Sequence, residues 1–298
     1  MSNRAPLAIT LAVLAALIWA GNFIIARNVY ERIGPVSLAF YRWAFATIII
    51  LPFAWKHLRK EWPSIIGSLH YLFWAALTGI ALFNTFVYVG AHHTTAINLA
   101  LLGTTFSPIV ATILAAMFLK ERINWQKLIG LLLCIAGVVY LLCKGDLRNL
   151  SAFHFSVGDL WVLAGGFCFA VYNTMVKKKP VAISPVNFLF VIFFLGTILL
   201  LPFYIWENST QPPTEWDGTV IFSIAYLSIG ASVICFMIWN KSISLIGASR
   251  TILFGNLIPV FSTLGSVMFL GEKFLLIHLI SMIIVFSGIL VANLQEKK

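Results

Sequence analysis

The chain repeats itself at half its length. Residues 107–121 read SPIVATILAAMFLKE and residues 258–272 read IPVFSTLGSVMFLGE, an offset of 151 that keeps Met-Phe-Leu-x-Glu intact. The tripeptides Gly34-Pro35-Val36 and Leu51-Pro52-Phe53 return as Ser184-Pro185-Val186 and Leu201-Pro202-Phe203, at an offset of 150. A chain of 298 residues with this period is two copies of one unit, and we predict that it divides into residues 1–147 and 148–298.

The composition places both copies in a membrane. Hydrophobic residues make up 60% of the chain and charged residues only 10%, against about 25% charged residues in soluble domains. Apolar stretches of about 20 residues, long enough to cross a bilayer, alternate with short polar loops. The sequence therefore predicts an all-α integral membrane protein with ten transmembrane helices, five in each copy, at 6–27, 36–55, 68–90, 95–119, 125–143, 158–177, 185–205, 218–240, 247–270 and 274–294.

The basic residues fall mainly on one side of these ten segments. One side holds fourteen of them: Arg4, Lys56, Arg59, Lys60, Lys120, Arg122, Lys127, Lys177, Lys178, Lys179, Lys241, Arg250, Lys297 and Lys298. The other side holds five: Arg27, Arg32, Lys144, Arg148 and Lys273. Because positive charge marks the cytoplasmic side, we expect both termini in the cytoplasm. An odd number of helices per copy then makes the two repeats inverted around a central cavity, an arrangement associated with alternating access.

Several short motifs resemble those of a known family. These are Trp19-Ala-Gly-Asn-Phe23 in the first predicted helix, Tyr41-Arg42-Trp43 in the second, and the Pro-x(12)-Glu segments Pro108–Glu121 and Pro259–Glu272. They resemble the EamA branch of the drug/metabolite transporter superfamily, over nearly the whole chain. The resemblance implies ten helices in two inverted five-helix repeats. It also implies export of amino acids or other small metabolites across the bacterial inner membrane. Some relatives export aromatic amino acids and paraquat, and others carry nucleotide sugars or triose phosphates.

Polar side chains within the apolar segments are candidates for a substrate path, because they are costly in hydrocarbon and tend to face a wet cavity. Asn98, Thr105 and Thr112 lie on one face of the fourth segment, and the repeat offset carries this stripe onto Ser249, Asn256 and Thr263 in the ninth. The alternative interpretation of the stripe is hydrogen bonding between packed helices. Aromatic walls with a few polar groups are typical of small-molecule sites. The predicted substrate-binding residues are Trp19, Asn22, Asn84, Tyr88, Asn98, Thr105, Tyr172, Asn173, Trp239, Asn240 and Asn256.

Charged residues inside the segments are few. For Arg42 we favour snorkelling to the interface or bonding to helix carbonyls. No Asp or Glu lies in the middle of a predicted helix. Because a pump for lipophilic cations usually provides such a counter-charge, this pattern favours zwitterionic or uncharged solutes.

These features predict a secondary transporter that exports amino acids or related metabolites from the cytoplasm across the inner membrane by alternating access. An antiporter of organic anions or nucleotide-linked sugars is the alternative, and it would require Arg42 or Arg250 in the cavity. An integral membrane enzyme is disfavoured, since no nucleophile–base motif, metal-ligand spacing or P-loop is present in the sequence. No cofactor and no nucleic-acid partner are predicted. The expected partners are the substrate and the bilayer, and the sequence leaves a homodimer open.

Overall fold

The computed structural model describes residues 5–94, 96–119, 124–143, 145–146, 148, 156–271 and 273–293. Helices account for nearly all of this part of the chain, which contains no strand. In the first half they are α1 (Ala5–Asn28), α2 (Pro35–Gly67), α3 (Leu69–Ala91), α4 (Ala96–Leu119) and α5 (Trp125–Leu142). In the second half they are α6 (Val157–Lys177), α7 (Pro185–Thr210), α8 (Gly218–Ile246), α9 (Ala248–Leu253 continued by Leu257–Phe269) and α10 (Leu276–Asn293).

Seven of these helices are long and apolar enough to cross a membrane, namely α1, α2, α3, α6, α7, α8 and the Arg250–Phe269 part of α9. Three shorter apolar stretches, Phe106–Leu119, Trp125–Gly137 and Leu276–Ala292, lie in α4, α5 and α10. Large apolar side chains are exposed along many of the helices, as expected where the solvent is lipid. The chain is therefore a multi-pass membrane protein.

Local signals set the helix starts. Pro35 and Pro185 occupy the first turns of α2 and α7, where the missing N–H costs no hydrogen bond. Ser156 and Asp159 form a capping box at the start of α6, and the Asp217 side chain caps α8 by accepting from the backbone N–H of Val220 (2.8 Å).

Two features of the helices differ from the prediction. We expected the second helix to end at residue 55, but α2 continues to Gly67. Its extension is charged yet amphipathic, since Leu58, Glu61 and Ser64 are half-buried and Ile65 is buried while the other residues of 56–67 are exposed. The helical period of the burial, rather than mean hydropathy, is therefore what the extension shares with the rest of α2. Both α3 and α8 also contain a π-helical segment, Leu77–Leu82 and Leu227–Ile234, which propensity does not predict.

The helix contacts are paired between the two halves. α2 packs along α7, and α5 packs along α10. α1 packs on α8 and α9, just as α6 packs on α3 and α4. Each of these contacts is recovered when α1–α5 are exchanged with α6–α10.

In the α2–α7 pair, each helix provides a glutamate that caps the start of the other helix. Near the end of α7, the Glu207 carboxylate accepts from the backbone N–H groups of Val36 (3.0 Å) and Ser37 (2.6 Å) at the start of α2. Near the end of α2, Glu61 accepts from the backbone N–H of Ser184 (2.9 Å) at the start of α7. The two helices therefore run antiparallel, and each carboxylate satisfies N–H groups that a helix start leaves without partners.

The α5–α10 pair is close because glycines meet on it. A Cβ placed on Gly288 would lie 2.6 Å from the carbonyl oxygen of Gly130, and one placed on Gly130 would lie 2.4 Å from that of Gly288. Small residues at such a crossing let two backbones touch, which is a common way for helices to associate in lipid.

Candidate functional site

A buried arginine lies between the two halves. Arg42, on α2, is only 1% exposed. Its Nη1 donates to Asn22 Oδ1, Asn84 Oδ1 and Tyr88 Oη, each at 2.7 Å. Tyr88 in turn donates to Asn22 Oδ1 at 2.9 Å. Three helices of the first half, α1, α2 and α3, thus meet on one guanidinium group.

The second half completes this cluster through the π-helical segment of α8. Arg42 Nε donates to Ser232 Oγ (2.7 Å), and Nη2 donates to the carbonyl oxygen of Ala231 (3.1 Å). The same carbonyl accepts from the indole N–H of Trp19 at 2.7 Å. A π turn departs from the regular helical ladder and is frequent at functional sites, and here it presents a carbonyl oxygen to two side chains.

The partners of Arg42 in the described part of the chain are all neutral. They are amide, hydroxyl and carbonyl groups, together with the Trp43 ring, which lies 4.7 Å below the guanidinium. Such bonds reduce the cost of burying a cation but do not cancel its charge. A ligand with a carboxylate or phosphate group would supply the missing negative charge, and it could accept hydrogen bonds from the guanidinium in exchange for some of these neutral partners.

A small cavity adjoins this cluster. It has a volume of ≈ 30 Å³, which is room for about two waters. Two buried polar atoms of its lining have no partner among the described residues, Asn84 Nδ2 and Ser107 Oγ. Both can donate a hydrogen bond, so they add two neutral donors to the guanidinium. The full lining is Trp19, Asn22, Phe23, Arg42, Phe83, Asn84, Gly103, Ser107, Phe169, Trp239, Ile252, Gly255 and Ile258.

Aromatic rings fill the rest of the centre. The Trp19 ring lies 4.9 Å from the Trp239 ring and 5.7 Å from the Phe169 ring, centroid to centroid. Phe169 also stacks on Phe83 at 4.4 Å. These rings leave no room for an amino acid, so the described conformation is closed at its centre.

A second, uncharged polar cluster lies on the other side of these rings. The amide of Asn240 donates to Tyr172 Oη at 3.0 Å. Trp239 Nε1 donates to Asn173 Oδ1 at 2.7 Å, and Asn173 Nδ2 donates to the carbonyl oxygen of Phe169 at 2.7 Å. Each of these polar groups is satisfied by a neighbour within the second half.

The predicted site residues fall into four groups. Trp19, Asn22, Asn84 and Trp239 line the central cavity, and Tyr88 contacts Arg42 beside it. Tyr172, Asn173 and Asn240 form the uncharged cluster. Asn256 is buried with neither amide atom hydrogen-bonded in the described structure, and it lines a separate small cavity between α9 and α10 with Thr263 and His278. The side chains of Asn98 and Thr105 lie outside the described residues.

The prediction that Arg42 snorkels to the interface is wrong, because its side chain is buried and bonds to three other helices. The expected bond to a helix carbonyl does form, with Ala231. Ser107 and Ser232 were not predicted as site residues. The insertion cost of a mid-helix arginine was the signal that pointed to this place, whereas a serine in an apolar helix gives no comparable signal.

The sequence profile of the EamA-like transporter family matches the chain twice, over residues 6–143 and 156–294. The chain belongs to the EamA-like transporter family. An uncharacterised transporter of Archaeoglobus fulgidus is 30% identical over 96% of this chain and 97% of its own. An uncharacterised inner membrane transporter of Salmonella typhimurium, YicL, is 23% identical over 96% of this chain and 94% of its own.

Two further similarities bear on fold and on function. A solved crystal structure superposes with a TM-score of 0.70 at 19% identity, over 96% of both chains, which shows the common fold. An S-adenosylmethionine/S-adenosylhomocysteine transporter of Chlamydia trachomatis is 23% identical over 90% of this chain and 83% of its own. The family and these relatives are transporters, so this EamA-family protein is a membrane transporter of small molecules.

Proposed function

We propose that this EamA-family transporter exports amino acids or related small metabolites, that it recognises their carboxylate through Arg42, and that it works by alternating access. The observation that carries the proposal is a buried guanidinium with only neutral partners, next to two unpartnered hydrogen-bond donors. A carboxylate bound there would gain charge-assisted hydrogen bonds in a site that excludes bulk water.

The aromatic rings suit the remainder of such a substrate. Trp19 and Trp239 present large apolar faces to the same cavity, and rings of this kind can bind an ammonium group by cation–π contact. The Chlamydia trachomatis relative is named for S-adenosylmethionine, a molecule that carries an α-amino acid group. A zwitterionic substrate could therefore place its carboxylate at Arg42 and its ammonium group at the aromatic rings.

Alternating access rests on the proposed architecture of ten membrane helices in two inverted repeats, residues 1–147 and 148–298. The family profile matches once in each of these ranges. The reciprocal capping by Glu61 and Glu207, and the antiparallel course of α2 and α7, support the inversion. In this view the closed centre opens to one side at a time, by rocking of one repeat against the other.

The proposed orientation places both termini in the cytoplasm and the α7–α8 loop outside the inner membrane. It follows from the fourteen basic residues on one side and five on the other. An impermeant thiol reagent applied to intact cells should label Asn208→Cys, an exposed position at the end of α7. Labelling only in inside-out vesicles would reverse the orientation.

The experiment on the substrate compares three related compounds in proteoliposomes, with and without a pH gradient. Phenylalanine carries both charges, N-acetylphenylalanine keeps only the carboxylate, and phenethylamine keeps only the ammonium. We expect transport of phenylalanine and little transport of phenethylamine. Equal transport of phenylalanine and phenethylamine would contradict carboxylate recognition by Arg42.

A second candidate function is exchange of organic anions, including nucleotide-linked sugars. It is favoured by one observation, that the described lining of the central cavity contains a cation and no acidic group to receive an ammonium. In the same assay, transport of N-acetylphenylalanine or a nucleotide sugar in preference to phenylalanine would support this candidate. Arg250, the other arginine considered, is half-buried near the start of α9 and is not among the lining residues.

A further inference from the structure

A large cleft lies outside the central cavity. It has a volume of ≈ 660 Å³ and opens between α8 and the hairpin that joins α6 to α7, with Leu11 of α1 at its base. Its walls are mostly apolar and include Phe188 and Leu189 of α7 and Ile238 of α8, with Asn240 and Ser244 as the uncharged polar members. On its open side Met237 is 43% exposed and Val181 is 99% exposed.

Three lysines stand at the mouth of this cleft, Lys177, Lys179 and Lys241. The Lys179 ammonium is held by the hairpin, since it donates to the carbonyl oxygens of Ile183 and Pro180, and burial lowers its pKa. Lys177 and Lys241 are exposed and have no acidic partner within the described ranges. Two cations are therefore available to a ligand.

The cations and the apolar wall are arranged as two ends of one site. Lys241 lies four residues after Met237, so both project from the same face of α8, with the apolar residue deeper in the helix. Lys177 is the last residue of α6. Positive charge in the last turns of two helices, beside an apolar wall, matches an amphiphile with an anionic head and hydrocarbon tails.

The equivalent cation of the first half has partners within the protein. At the repeat offset of 150, Lys177 corresponds to Arg27. Arg27 donates to the carbonyl oxygen of Ala91 at the end of α3 (2.9 Å), and its guanidinium lies 4.2 Å over the Tyr30 ring. The cation of the first half is thus used within the protein, whereas that of the second half faces the cleft.

We propose that this cleft binds the headgroup of an anionic phospholipid, with Lys177 and Lys241 on the phosphate and the acyl chains along the apolar wall. Basic pockets between transmembrane helices bind such headgroups, and each lysine near the surface strengthens binding about fivefold. A soluble anion would use the two lysines but would gain nothing from the apolar wall. In the orientation proposed above, the lipid belongs to the cytoplasmic leaflet.

The test uses the purified full-length protein and native mass spectrometry. Dioctanoyl phosphatidylglycerol is titrated against the wild type, against Lys177→Gln/Lys241→Gln, and against Lys178→Gln. Lys178 is the matched control, because it is exposed at the same helix end but lines a different cleft with Tyr71 and Phe118. We expect the double variant to bind about 25-fold more weakly, from about fivefold per lysine, and the control to bind as the wild type does.

Two further ligands distinguish the sources of the anion. Inorganic phosphate should not displace phosphatidylglycerol when it is added at the concentration at which phosphatidylglycerol itself saturates the protein. Dioctanoyl phosphatidylcholine should bind weakly, and its affinity should be the same for the wild type and the double variant. Full competition by inorganic phosphate would show a site for free anions. The proposal would be overturned if phosphatidylglycerol bound the double variant as tightly as the wild type. It would also be overturned if phosphatidylcholine bound the wild type as tightly as phosphatidylglycerol does.

Discussion

The two halves of the molecule present opposite chemistry at equivalent positions. Arg42 of α2 corresponds to Ile192 of α7 at the offset of 150, and both are buried. Asn84 and Tyr88 of α3, which bond to Arg42, correspond at an offset of 151 to Cys235 and Trp239 of α8. One half thus gathers polar groups around a charge, while the other provides a thiol, an aliphatic side chain and an indole.

The same halves agree closely in the features that shape the helices. The π-helical segments Leu77–Leu82 and Leu227–Ile234 overlap at the offset of 151, and Glu61 and Glu207 each cap the partner's central helix. We infer that the features common to both halves determine how the helices pack, whereas the residues that differ between the halves form the site. A site of this kind can bind the charged end of a molecule in one half and its apolar end in the other.

Among substitutions that remove a difference between the halves, we expect the largest loss of transport at Arg42. Arg42→Gln removes the charge but keeps a side chain that can bond to Asn22 and Asn84. We expect phenylalanine transport per folded molecule to fall by roughly 100-fold, since a hydrogen bond to a charged group contributes up to about 3 kcal/mol. Arg42→Lys should restore part of the activity, because an ammonium keeps the charge but loses the forked geometry.

The equivalent residue of the other half provides the control for Arg42. Ile192→Val is a small change in a buried apolar position, and it should cost at most about 1.5 kcal/mol of stability and leave transport within about twofold. Native transport by folded Arg42→Gln protein would show that the arginine only holds the helices together.

The next-largest effect is expected at Tyr88, which we compare with Tyr172 of the second half. Tyr88 Oη accepts from the Arg42 guanidinium, while Tyr172 Oη accepts from the neutral amide of Asn240. Tyr88→Phe should reduce phenylalanine transport about tenfold, and Tyr172→Phe about twofold, because bonds to charged groups contribute more than neutral ones. Transport rates at equal amounts of folded protein would measure both, and the reverse order would place the recognition of substrate in the second half.

The sequence was sufficient for much of the fold. Long apolar segments and the internal repeat predicted an all-helical multi-pass membrane protein, and the family match and the described helices confirm this much. Motifs such as Trp19–Phe23 and Tyr41-Arg42-Trp43 identified the family correctly. These signals are strong because each depends on many residues, or on residue types that are costly in lipid.

The details of the site depended on information that periodicity does not contain. Asn256 lies on the predicted stripe of the ninth segment, but a 3-10 turn at Phe254–Asn256 interrupts the helix there, and its side chain lines a different cavity. A change of one residue in helical register rotates a side chain by about 100°, so a single irregular turn redirects a whole face. The same holds for Ala231, whose carbonyl is presented to Arg42 within a π-helical segment.

The smallest expected effect concerns the caps that the two halves share. Glu207 is buried and accepts from two backbone N–H groups of α2, whereas Glu61 is half-buried and caps α7 through Ser184 and Asn187. Glu207→Ala should lower the free energy of unfolding by about 2 kcal/mol, since it leaves the half-buried N–H of Val36 and the buried N–H of Ser37 without partners. Glu61→Ala should cost about 1 kcal/mol, the usual cost of losing a helix cap.

Unfolding of the purified protein in mixed micelles, titrated with denaturing detergent, would measure both changes. Glu31→Ala serves as the control, because this carboxylate is exposed and bonds to the neighbouring Tyr30 hydroxyl (2.6 Å), and it should change stability by no more than about 0.5 kcal/mol. Equal costs at Glu207 and Glu61 would mean that burial does not distinguish the two caps. A cost at Glu207 no larger than at Glu31 would mean that water or lipid headgroups reach the start of α2 and replace the carboxylate.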